Sequence, residues 1–306
     1  TTFGAITVVP VNFEHPATSV KGSSLSYFWR VKSDGFGGID GTVRSRFSYR
    51  QGNVAGNEDG YVPAVFQYDQ SDWQRGTTND IDRDNNLINS WTSISSILDG
   101  DYTAGLSESF DKPTKFYSRG SGFWRDAANW STAGHAGTQA TRIPSSGDIV
   151  VIGNGHRIAL GREDMPKPSG WNRNNENPNT DVQNSALLQI EEGAVLDVTF
   201  NPLSSFGMVV NHPNGNGTIR VSTNYLDGST FQFPQGDFSE FNSNLGTTEL
   251  YTSNPNAGTT YWLPNDIDNY GNLILSPLGG SNIIFGNTDV TIYGDLITRG
   301  QNSESW

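Results

Sequence analysis

After Phe116, five glycines each open a short apolar stretch: Gly193 (GAVLDV), Gly217 (GTIRVS), Gly246 (GTTELY), Gly271 (GNLILS) and Gly294 (GDLITR), at separations of 24, 29, 25 and 23 residues. A repeat of this length, with strand-type alternation and no helical period, is what a β-solenoid requires, one turn of backbone per repeat. Glycine is expected where the chain bends between faces, because it adopts positive φ without steric cost. Ile, Leu and Val two residues apart would then point inward and stack on their equivalents in neighbouring turns. Gly155–Leu160 (GHRIAL) fits an earlier turn. Between it and Gly193, the polar stretch Gly161–Asn184, with three Pro and six Asn, reads as a surface excursion. The chain stops at Trp306 just after a turn begins; an uncapped turn exposes a sheet edge, so the native polypeptide is expected to continue.

Before Phe116 the pattern differs. Alternating segments at Ala5–Val11, Leu25–Val31, Thr42–Tyr49, Tyr61–Tyr68, Leu87–Trp91 and Ser93–Leu98 are separated by Gly, Asp and Asn turns. That spacing predicts a β-sandwich. Asp111–Lys115 (DKPTK) carries a proline suited to a linker. The predicted fold is therefore all-β: an immunoglobulin-like β-sandwich over 1–112, then a β-solenoid region over 113–306, truncated at its C-terminal end. Composition agrees. Only 17% of residues are charged, 35 are Gly, and eight Trp, eleven Tyr and sixteen Phe supply aromatic area for a core.

A net charge of −13 argues against sequence-independent binding to nucleic acid or to an anionic membrane surface. The absence of cysteine removes disulfides and thiolate chemistry. No stretch approaches the roughly eighteen apolar residues of a membrane-spanning helix.

The block Phe116–Trp130 (FYSRGSGFWRDAANW), then Ile143–Gly155 (IPSSGDIVVIGNG) and Leu187–Leu196 (LLQIEEGAVL), carries spaced landmarks at Trp124, Trp130, Pro144, Gly147, Asp148, Gly155 and Gly193. It resembles the eight-glycine extracellular β-repeat domain. With the later turns it looks most like the adhesin-like type IX-secreted surface proteins of Bacteroidota. The resemblance implies an extracellular or cell-surface location, contact with the secretion machinery during export, and an adhesive or scaffolding role; some relatives degrade polysaccharides.

Asp80, Asp82 and Asp84 form a D-x-D-x-D run whose alternate oxygen ligands resemble half of a calcium loop, though Asn85 and Trp91 replace the usual Gly and bidentate Glu. A solvated turn is the simpler reading, with calcium the one cofactor considered. The four histidines show no metal-ligand spacing, and no serine elbow, P-loop or dinucleotide motif occurs. Asp266 and Asp268 (NDIDNYG) are the obvious carboxylates for a glycan-cleaving site. Asp and Asn before a glycine are equally favoured as turn formers, and no catalytic residue is assigned. Trp171, inside the polar insertion, is the foremost sugar-stacking residue; Trp171 through Asp181 is the stretch expected to meet a partner. Trp73, Trp91 and Trp262 are expected in the core.

The function expected is that of a non-enzymatic cell-surface or secreted segment, a stiff stalk presenting loops to a surface glycan or another surface protein. A polysaccharide-active enzyme or its binding module, and a self-associating filament subunit, are the alternatives.

Overall fold

The computed structural model describes residues 4–35, 42–68, 70–94, 98–161, 183–199, 203–211, 215–223, 231–252, 260–277, 281–286 and 289–299, by backbone alone at 42–43 and 90–94. Two compact units divide the chain, Thr1–Thr114 and Lys115–Trp306. Both are built from strands. Among the described residues the one α-helix, α1 (Ser239–Ser243), is five residues long. No helix there is long and apolar enough to cross a membrane.

The first unit contains β1 (Ala5–Val11), β2 (Phe28–Asp34), β3 (Thr42–Ser48), β4 (Tyr61–Gln67), β5 (Asp72–Arg75), β6 (Ile81–Asp82), β7 (Leu87–Ile94) and β8 (Gly100–Leu106). All pairings are antiparallel, in a five-stranded sheet β1-β2-β8-β4-β5 and a three-stranded sheet β3-β7-β6. Leu25, Tyr61 and Ala104 meet Ile81 and Ile88 in one apolar cluster, so residues of both sheets share an interior. Strand β4 is buried along its whole length, which its β-branched and aromatic sequence YVPAVFQ permits. By contrast β1 is an edge strand, and Ile6, Val8 and Val9 are exposed despite their apolar character.

The second unit begins with β9 (Lys115–Ser118), β10 (Gly122–Phe123), β11 (Trp130–Ser131), β12 (Ile149–Ile152), β13 (Arg157–Ala159) and β14 (Leu187–Ile190). It continues through β15 (Val195–Thr199), β16 (Ser205–Asn211), β17 (Thr218–Ser222), β18 (Gln235–Asp237), β19 (Thr247–Tyr251) and β20 (Thr260–Trp262). It ends with β21 (Asn269–Tyr270), β22 (Asn272–Ser276), β23 (Asn282–Ile284), β24 (Thr291–Ile292) and β25 (Leu296–Thr298). A seven-stranded sheet runs β10-β13-β15-β17-β19-β22-β25 and a six-stranded sheet β11-β9-β12-β14-β16-β18. Every pairing in both is parallel except β9 with β11. From β12 to β19 the chain alternates between the two sheets. Later, β20 pairs with β23, β21 with β24 and β22 with β25, all parallel.

The five glycine-led stretches thus supply β15, β17, β19, β22 and β25, consecutive neighbours in one parallel sheet. Register aligns their buried residues: Ile158, Leu196, Ile219 and Leu273 form one column, interrupted by the polar Thr248, and Val221, Leu250 and Leu275 form another. These columns join Trp124, Trp130, Phe206 and Phe241 in a single core cluster. Each fully buried Leu or Ile contributes on the order of 1.5–3 kcal/mol.

The glycines act differently from expectation. Only Gly193 of the five has positive φ, at +68°. The other four are needed for close approach. A methyl group at Gly271 would enter the contact shell of the Gly246 and Asn242 carbonyls, at Gly246 it would meet the Phe241 ring, and at Gly217 the Asn211 side chain. Just ahead of two of them the left-handed residue is Asn216, at φ +66°, or Leu245, at +56°, and amide side chains brace the bends. Asn211 Oδ1 accepts from Gly217 N–H at 3.0 Å, and Asn272 Oδ1 accepts from Asp295 N–H at 2.8 Å. Such bridges satisfy backbone donors that the turns leave open, and they bring backbone too near for a Cβ.

Candidate functional site

A cleft of about 540 Å³ lies where β18 and α1 face the turn before β21. Local rules build its walls. Asp237 Oδ1 accepts the Ser239 N–H at 3.0 Å and its hydroxyl at 2.6 Å, turning the chain into α1. Phe233 and Phe238 pack edge to face at 5.2 Å beneath this turn. Asn242, on α1, donates from Nδ2 to the Asn269 carbonyl at 2.8 Å and so ties the helix to β21.

The polar lining mixes carboxylates with side-chain amides. Asp266 is exposed and has no hydrogen-bond or ion-pair partner among the described residues. Asp268, also exposed, accepts from Asn269 Nδ2. Asn242 is only 4% exposed, yet its Oδ1 is buried without a partner. Next to these groups the buried Tyr270 hydroxyl also lacks a partner. Burial, reinforced by the Asp266 and Asp268 charges, pushes its pKa far up and keeps it protonated. Among the described residues no lysine, arginine or histidine lines the cleft.

A second cleft, of about 710 Å³, adjoins the first and shares Phe233, Gln235 and Asp266 with it. Its outer wall is Trp262, 48% exposed, while Tyr293 on the first cleft is 56% exposed. The expectation that Trp262 lies in the core is therefore wrong. It is the last residue of the short strand β20 and turns outward beyond the buried Tyr261.

Chemically, the groove offers aromatic faces, carboxylates and side-chain amides to a ligand and repels anions. Glycoside hydrolysis asks more: one carboxyl must be held protonated by an apolar surround. Asp266 and Asp268 are both exposed rather than enclosed in such a surround.

The remaining sequence candidates are placed as follows. Thr77 N–H and hydroxyl donate to Asp80 Oδ2 at 2.7 and 2.9 Å, and Asn85 donates to both oxygens of Asp82. These carboxylates close their own turns, and no group of three or more His, Asp or Glu among the described residues gathers as a metal site. Trp171 and Asp181 lie outside the described residues, as does the side chain of Trp91. Trp73 is buried and donates from Nε1 to the Ala17 carbonyl at 3.2 Å.

Three clusters escape sequence reasoning because their members are distant in the chain. In the first unit, buried Asp101 is held by His15 at 3.2 Å and by Arg30, and accepts from the Tyr68 hydroxyl. In the second, buried Asp197 pairs with Arg157 at 2.5 Å and Arg220 at 2.8 Å and accepts from Tyr251 at 2.9 Å. At the ends of β9, β12 and β14, the Ser118 hydroxyl meets His156 Nδ1 at 2.7 Å and accepts the Gly153 N–H. His135 lies between the Ser118 carbonyl and Glu191. Ser118 is fully buried with its hydroxyl occupied on both sides, so this serine and histidine form a strand-end brace, not a nucleophile and base.

No family model, no curated protein and no solved structure matches this chain.

Proposed function

We propose that the chain is a non-catalytic structural and contact segment of a cell-surface or secreted protein, in which an N-terminal β-sandwich precedes a β-solenoid stalk. One observation carries this reading: the glycine-led repeats form successive strands of a single parallel sheet, in register, over a shared apolar core. Parallel neighbours without intervening helices support a chain that travels around and returns one strand further on, the path of a coil of stacked turns. Backbone hydrogen bonds then run along the stack and oppose extension. The surface location rests on the resemblance to type IX-secreted proteins and fits the acidic, cysteine-free composition.

Pulling the full chain from its ends tests the mechanical half. A stalk of stacked turns yields in steps of one repeat, about 8–10 nm of contour for 23–29 residues. One cooperative rupture of residues 115–306 would contradict it. Antibody labelling of intact source cells tests the location, and labelling that requires permeabilisation would defeat it.

A further inference from the structure

We propose that the two adjoining clefts form one groove that binds a neutral glycan. The site stands on the groove alone and does not depend on the stalk reading. Trp262 and Tyr293 are large aromatics left exposed in a protein whose other large rings are mostly buried, and they wall neighbouring parts of the same depression. Flat rings of this kind match the apolar face of a pyranose, and their rigidity keeps the ordering cost of binding small.

Between the rings the polar atoms are carboxylates, which accept, and the exposed side-chain amides of Gln232, Gln235 and Asn265, which both donate and accept. Asp266 is unpartnered among the described residues, and Asn242 Oδ1 is buried and unsatisfied on the wall. The amide nitrogens of Asn242 and Asn269 are already spent on the Asn269 carbonyl and on Asp268. A ligand that completes this lining must bring groups that donate to the carboxylates and accept from the amides, which hydroxyls do at once. A uronate or sulfated glycan would place its charge against Asp237, Asp266 and Asp268, with no cation among the described lining residues to offset it.

Affinity electrophoresis of the full 306-residue chain tests this, using native gels containing galactomannan, xyloglucan or soluble β-1,3-glucan, with polygalacturonate in parallel. Retardation is expected in at least one neutral gel and none in polygalacturonate. It should persist in about 0.5 M salt, since screening removes only charge-driven contacts. Trp262→Ala, Tyr293→Ala and Asp266→Ala should each weaken binding about tenfold. All three side chains are exposed, so the thermal midpoint should not move. Phe13→Ala, an exposed ring of the first unit, should bind as the parent does. Four results would overturn the site: no retardation in any neutral gel, retardation indifferent to the three substitutions, retardation by polygalacturonate only, or binding abolished by salt.

Discussion

Asp101 shows how much a single residue can hold. Burial would raise its pKa, but the hydrogen bond from His15 and the Arg30 guanidinium outweigh that and hold the carboxyl below its usual range. Removing it takes from the buried Arg30 guanidinium and the His15 imidazole the carboxylate they share. Asp101→Ala should therefore cost about 3–5 kcal/mol, read as a fall in the urea midpoint of the first unit. His15 supplies a pH dependence of definite sign. Burial lowers its pKa beneath the ordinary value of 6.5 despite Asp101, so folded His15 stays neutral while the unfolded chain takes up a proton. Stability is unaffected above pH 6.5 and declines as the pH falls below it. Urea midpoints of the first unit measured across that range should show this slope, and His15→Gln should flatten it even though the variant starts less stable. An unchanged slope in the variant would remove His15 as its origin. His156, also lowered by burial and by the neighbouring His135, acts in the same sense in the second unit.

Among the elements, the glycine turns separate two physical demands that look identical in a sequence. Gly193 has open space around its missing Cβ, with nothing nearer than 3.9 Å, and is constrained only by its φ of +68°. Asparagine tolerates that region, so Gly193→Asn should cost less than about 1 kcal/mol. Gly271 has the opposite problem: its backbone is pressed against the Gly246 and Asn242 carbonyls. Gly271→Ala should cost about 2–3 kcal/mol or more by forcing neighbouring backbone segments apart. Chemical denaturation of the two variants side by side checks the ranking. Equal losses would show that backbone angle, not proximity, governs both. Leu250, fully buried in an inward column between β17 and β22, gives a packing reference. Leu250→Ala should lose about 2–5 kcal/mol through transfer and cavity terms.

At the scale of the whole molecule, the chain resolves into units with separate cores, and stability should reflect that division. Calorimetry is expected to show two transitions. Asp101→Ala should lower one and Leu250→Ala the other; a common shift would mean that the units unfold together. The sequence by itself determined the all-β character and the positions of most turns. Side-chain alternation and the conformational habits of Gly, Asn and Asp act within a few residues, so they can be read locally. It also marked Asp266 and Asp268, though without their surroundings. Only the tertiary structure decided that the repeats pair in parallel, that Trp262 faces outward, that Asn242 joins Asp266 in one groove, and that His15 meets Asp101 across 86 positions of chain. Those outcomes depend on which distant segments share a surface, a matter settled by packing the whole core at once rather than by any residue's own preference.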